Sequence, residues 1–226
     1  MVTRLDRLTV VETALRLLNE TGLEGLTLRR IATELDVKAP ALYWHFAGKQ
    51  ALLDEMATRI FQGIMDAVQS ADDWPGSARW QDLLAEAMRA LRGTLLSYRD
   101  GAKVFSGTRY TGTEYAGPLD RMLGALVERG FTVRTAGRAW FTAYAYTIGF
   151  VIEEQAVMPL PGERDPFYDI GERAARLADY PYVAAVGTEL FDDYDSGYEA
   201  GLAVTIAGIE ARLAPGAVTE RPTGTV

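Results

Sequence analysis

"VKAPALYWHFAGKQALL", residues 37–53, places a proline, two adjacent aromatics, a histidine and a Gly-Lys pair within about three helical turns. The three side chains are Tyr43, Trp44 and His45, and His45 is the only histidine of the chain. Adjacent helix positions do not share a face, so packing against one core accounts for one of the three and leaves the others needing a second surface. Just upstream, Thr27 is a suitable N-cap for a short helix over 28–35. The turn "DVK" follows, and Pro40 falls in the first turn of a third helix, where its missing N–H costs nothing. Gly48 closes that helix. A fourth begins at Lys49 and carries Leu52, Leu53, Met56, Ile60, Phe61 and Ile64 along one side.

Two short helices joined by about four residues form the helix-turn-helix pattern, in which the start of the second helix enters a DNA major groove. The chemistry suits that reading. Free N–H groups at the helix start favour phosphate. Ala39, Pro40 and Ala41 are small enough for close approach to base edges, and Tyr43, His45 and Lys49 can reach phosphates or bases. Leu42, Trp44 and Phe46 alternate with these positions, and Trp44 is expected in the core.

The chain has 226 residues and no Cys, which rules out disulfides and thiolate chemistry within it. Its start, "MVTRLDRLTVVETALRLL", is charged throughout, unlike a secretory signal. No stretch approaches the roughly 20 apolar residues of a membrane span, and a cytoplasmic protein is expected. The net charge of −8 is unevenly spread. Residues 1–50 hold seven Arg/Lys and six Asp/Glu, a charge of +1, which leaves −9 for the rest. A DNA-binding head on an acidic body has this asymmetry.

Helical periodicity continues nearly to the end, so the expected fold is all-α. The first helix is expected over 4–21, stopped by Gly22. "QSADDWPGSARW" (69–80) marks a change of domain. Further helices are expected at 79–97, 100–108, 114–129, 134–157 and 166–179. A last one runs from Ser196 to Leu213, opened by a capping box of Ser196 and Glu199. The organisation is then a head (1–48), a connecting helix (49–68), a core (69–213) and a disordered tail (214–226).

"LTLRRIATELDVKAPALYWHFAGKQALLDEMA" (26–57) resembles the DNA-binding head of the TetR family of repressors, and most of all that of its tetracycline-responsive members. "LLSYRDGAKVFSGTR" (95–109), "ERGF" (128–131), "GFVIEEQ" (149–155) and "ELFDDYDSGYEAGL" (189–202) resemble successive parts of the same core, in the same order. The resemblance implies operator contacts at Arg29, Lys38, Ala39, Pro40, Ala41, Tyr43, His45 and Lys49, with Thr27 at a phosphate. The tetracycline-responsive members carry polar side chains where this chain has Ala39 and Ala41, which implies a different operator sequence. It also implies a homodimer, joined by a bundle of helices 134–157 and 196–213, on a palindromic double-stranded DNA operator.

In those members two histidines and an asparagine hold the drug and its Mg²⁺. Their positions fall here on Met65, Phe105 and Ala87. None of these side chains offers the oxygen ligands Mg²⁺ requires. The resemblance implies an aromatic-rich cavity lined by Phe61, Met65, Ala87, Met88, Leu91, Phe105, Trp140 and Tyr144, with Arg109, Tyr110 and Glu153 as polar anchors. The expected inducer is a small lipophilic molecule, with no metal and no cofactor. Two alternatives stand beside this reading: a DNA-binding regulator whose core answers to a protein partner, and a helical enzyme. No nucleophile elbow, phosphate loop or His-Glu-x-x-His motif supports the enzyme, and no catalytic residue is assigned.

Overall fold

A computed structural model of the chain describes residues 5–69, 79–108, 112–113 and 115–216, with backbone alone at 65–69. Eleven helices and no strand occur among the described residues: α1 (Arg7–Gly25), α2 (Leu28–Glu34), α3 (Pro40–Tyr43), α4 (Lys49–Gln69), α5 (Trp80–Leu96), α6 (Gly101–Phe105), α7 (Ala116–Glu128), α8 (Val133–Val157), α9 (Ile170–Arg176), α10 (Pro181–Phe191) and α11 (Tyr194–Arg212). The fold is all-α, and among the described residues no helix is long and apolar enough to cross a membrane.

The first three helices fold on one another through a few well-placed groups. Asp6 caps α1 by accepting the Thr9 N–H at 2.7 Å. Val10, Val11, Ala14, Leu17 and Leu18 then line the buried face of α1. Gly22 interrupts it with φ +68°, a conformation glycine adopts without the Cβ clash, and one more turn follows before the helix stops. The Thr27 hydroxyl caps α2 by accepting the Arg30 N–H at 3.1 Å. Ile31 and Ala32 are its buried residues. Asp36, at φ 52°, turns the chain into α3.

α3 is shorter than the sequence predicts. It ends as a regular helix at Tyr43, although the His45 and Phe46 N–H groups still bond the Leu42 carbonyl at 2.9 Å. Trp44 corrects the expectation of a core residue, for it is 89% exposed while Leu42 and Phe46 are buried. The cause is angular: Leu42 and Phe46 are one turn apart on the inward face, and Trp44 between them points away.

In the larger part of the chain α8 is the central element, packed against α5, α6, α7 and α11. A reciprocal Thr132–Thr135 capping box opens it. Ala136, Ala139 and Ala143 bring its buried face close to its neighbours, and Tyr198 of α11 is wholly buried against it. The Tyr198 hydroxyl bonds Thr147 Oγ1 at 3.0 Å, and burial pushes its pKa up to about 12.

Further boundaries differ from expectation: α1 runs past Gly22 to Gly25, and α6 stops at Phe105, short of 108. α9 covers only Ile170–Arg176, and α10 occupies a stretch the sequence pattern left without a helix. α11 begins at Tyr194 because Asp193, not Ser196, is its cap. The Ser196 N–H bonds Asp193 Oδ1 at 3.0 Å, and Glu199 pairs with Arg89 instead of closing a capping box. The expected tail lies outside the described residues from 217 onward.

Candidate nucleic-acid interface and ligand site

On the head, Thr27, Arg29, Lys38, Pro40, Tyr43 and Lys49 are exposed, and Ala39, Ala41 and His45 are half-buried. These residues lie on the solvent side of α2 and α3, away from Ile31, Ala32, Leu42 and Phe46. Pro40 opens α3 and the small Ala39 and Ala41 flank it, so the start of this helix is sterically bare. Lys49 Nζ donates to the Leu23 carbonyl at 3.1 Å, tying the start of α4 to the end of α1. Trp44, absent from the expected set, is exposed as well, and its place beside Tyr43 and His45 was the available signal.

The head is also bonded directly to the turn between α5 and α6. Asn19 Nδ2 donates to the Ser97 carbonyl at 3.2 Å, and Asn19 Oδ1 accepts the Arg99 N–H at 2.9 Å. Arg99 Nε donates to the Asn19 carbonyl, and Asp100 Oδ2 accepts the Leu23 N–H, both at 2.9 Å. From the other side, buried Gln155 of α8 accepts the Ala102 N–H at 3.1 Å and donates to the Tyr98 carbonyl at 2.7 Å. Partial burial raises the Asp100 carboxyl, but the Lys103 ammonium and the Leu23 N–H more than offset it, so its pKa lies below the ordinary value.

Phe61 of α4, Ala87, Met88 and Leu91 of α5, Phe105 of α6, and Trp140 and Tyr144 of α8 belong to one apolar cluster. Ala87, Met88, Leu91 and Phe105 are buried, whereas Phe61, Trp140 and Tyr144 are half-buried. Met88 has no accessible surface, so it packs within the wall. The Phe105 and Tyr144 rings lie 6.4 Å apart, and Phe141 stacks on Tyr144 at 6.1 Å. Phe61 meets Tyr115 edge-on at 6.5 Å. Burial raises the Tyr144 phenol. Arg109, Tyr110 and the side chain of Met65 lie outside the described residues.

Glu153 differs from expectation. It is exposed on the outer face of α8, and its neighbour Glu154 is the buried carboxylate. Arg92 of α5 grips Glu154 with two bonds, at 2.9 and 2.6 Å, and also pairs with Asp195 at 2.7 Å. Arg92 lies over the Tyr198 ring as well, 4.8 Å from its centroid. The partner required by a buried carboxylate is therefore present, one residue along from the position expected. Within one protomer Glu153 anchors nothing inside the cluster.

The profile described as "Bacterial regulatory proteins, tetR family" matches residues 10–56, and "Tetracyclin repressor-like, C-terminal domain" matches residues 74–213. The chain is 38% identical over 216 residues to the tetracycline repressor protein class A from transposon 1721 of Escherichia coli, covering 93% of both chains. The crystal structure of a possible TetR family transcriptional regulator from Streptomyces coelicolor A3(2) is similar at 39% identity and TM-score 0.77, covering 91% of this chain and 99% of that one. TetR from Acinetobacter baumannii AYE is similar at 32% identity and TM-score 0.71, covering 94% and 100%. With both its head and its core matched, this chain belongs to the TetR family of transcriptional regulators.

Proposed function

We propose that the protein is a cytoplasmic, ligand-responsive repressor that binds a palindromic double-stranded operator as a homodimer and leaves it when a small lipophilic molecule enters the core. In this reading residues 1–48 read DNA, 49–68 connect, and 69–213 sense and dimerise. Thr27, Arg29, Lys38, Ala39, Pro40, Ala41, Tyr43, His45 and Lys49 meet the operator, and we add Trp44 for its exposure. Phe61, Met65, Ala87, Met88, Leu91, Phe105, Trp140 and Tyr144 surround the inducer, with Arg109 and Tyr110 as polar anchors. The direct bonding of the head to the α5–α6 turn carries the proposal, because that turn leads into Phe105 of the aromatic cluster.

The mechanism is a shift of population. Ligand favours the conformation in which α4 and the segment 99–109 hold the two heads at the wrong spacing for successive major grooves, with a coupling of about 1–3 kcal/mol. Mg²⁺–tetracycline does not fit this site, since Phe105 and Ala87 supply no oxygen ligand. A regulator whose core answers to a protein is the second reading, favoured by the exposed Tyr182, Val183 and Leu190 on α10. A gel shift with DNA upstream of the gene tests operator binding. Thermal shift with a panel of lipophilic compounds and with tetracycline plus Mg²⁺ tests the inducer. Stabilisation is expected from a member of the panel and not from the chelate; stabilisation by the chelate alone overturns the lipophilic reading.

A further inference from the structure

We infer that Arg7, outside the DNA-reading set, is a positioning residue for recognition: it braces the end of the reading segment against α1 and α4. This rests on the DNA-binding reading above. Asp6 caps α1 and so fixes Arg7 as the first helical residue. The Arg7 guanidinium then meets three groups at once. Nη1 donates to the carbonyl of His45. Nη2 donates to Glu55 Oε2 of α4 at 2.8 Å. Its carbon lies 4.7 Å from the centroid of the buried Phe46 ring.

Each contact has a physical role. His45 stands just past α3, where helix carbonyls lack intrahelical partners and a cation complements the dipole. Glu55 holds the guanidinium in place. The stack on Phe46 sets the plane of the fork. Tyr43, Trp44 and His45 are the residues immediately beside the braced carbonyl, so their direction depends on it. Because Glu55 belongs to α4, a movement of that helix is passed to the reading segment without passing through the DNA. Lysine has neither the planar fork nor two separated donors, so it cannot make the three contacts together.

The test uses the full chain and a labelled duplex enriched by the wild-type protein from a randomised pool, with an unrelated duplex of equal length as control. Arg7→Lys and Arg7→Met are expected to raise Kd for the enriched duplex about tenfold, the effect of losing one charge-assisted hydrogen bond. Binding to the unrelated duplex and the slope of log K against log salt should stay unchanged. Glu55→Gln should weaken binding in the same way, and the double variant Arg7→Met with Glu55→Gln should be no worse than Arg7→Met. A salt slope reduced by about one, with both duplexes weakened alike, would mean a direct phosphate contact and overturn the bracing role. Unchanged affinity overturns it too. Arg7→Lys decides the matter if Arg7→Met melts early. If the wild-type protein enriches no duplex, the DNA-binding reading itself fails and takes this inference with it.

Discussion

Single side chains on the head divide sharply by direction. Leu42 and Phe46 are buried, and Trp44 between them is 89% exposed. A sequence of alternating large residues does not say which face is inward, and that ambiguity hid Trp44. The Glu153–Glu154 pair has the same form: two adjacent carboxylates, of which the inward one is marked only by Arg92, distant in sequence. Among the exposed charges, Lys38 stands beside Ala39 and Pro40, just before α3. In the proposed complex it meets a phosphate. Lys38→Ala is expected to weaken binding to all duplexes similarly and to lower the salt slope by about one per protomer, read from titrations between low and moderate salt.

At the level of elements, helices with one apolar stripe were legible in the sequence. α4, α5 and α8 begin within about a residue of the expected places, because each follows a turn former or a cap. α10 was not legible. Its bulky residues Tyr182, Val183, Val186 and Leu190 face outward and only Gly187 is buried, so it has no inward stripe to detect. The α5–α6 turn was legible only as a resemblance; its bonds to Asn19 and Leu23 join residues nearly 80 positions apart, and no local pattern records them. The depressed pKa of Asp100 gives these bonds a pH signature. A carboxyl whose pKa is lowered on folding contributes stability that is present above its unfolded pKa and is lost as pH falls through the folded one. Asp100→Asn should therefore lower the melting temperature at neutral pH. The difference from wild type should shrink as pH drops below about 4, as read by calorimetry. An unchanged difference across that range would mean that Asp100 is not bonded to Leu23 in solution.

For the whole molecule, the surface left open is informative. Phe141 on α8 and Val204 on α11 are 65% and 73% exposed; Ala145 and Gly149 follow Phe141 at one-turn spacing, Ala200 and Gly208 flank Val204 likewise, and all four are exposed. Exposed apolar and small-residue stripes on two long helices that pack together suit a self-complementary twofold contact. In the proposed dimer these helices form the bundle. Ala145→Arg then adds a bulky charge where two chains approach. It should leave the helical circular dichroism unchanged, shift sedimentation to the monomer and abolish tight operator binding, since one head reads only a half-site. Persistence of the dimer would move the interface elsewhere, with the outward face of α10 as the first place to look.

Gly22 has a further consequence for anyone splicing this protein. A Cβ at that position would stand 3.1 Å from Asp100 Oδ2, and its φ of +68° already disfavours other residues. The head and residues 97–100 are thus fitted to each other by shape as well as by hydrogen bonds. A chimera that transplants the head alone would leave Asn19 and the Leu23 amide without partners. A working hybrid has to carry the segment Ser97–Asp100 along with the head.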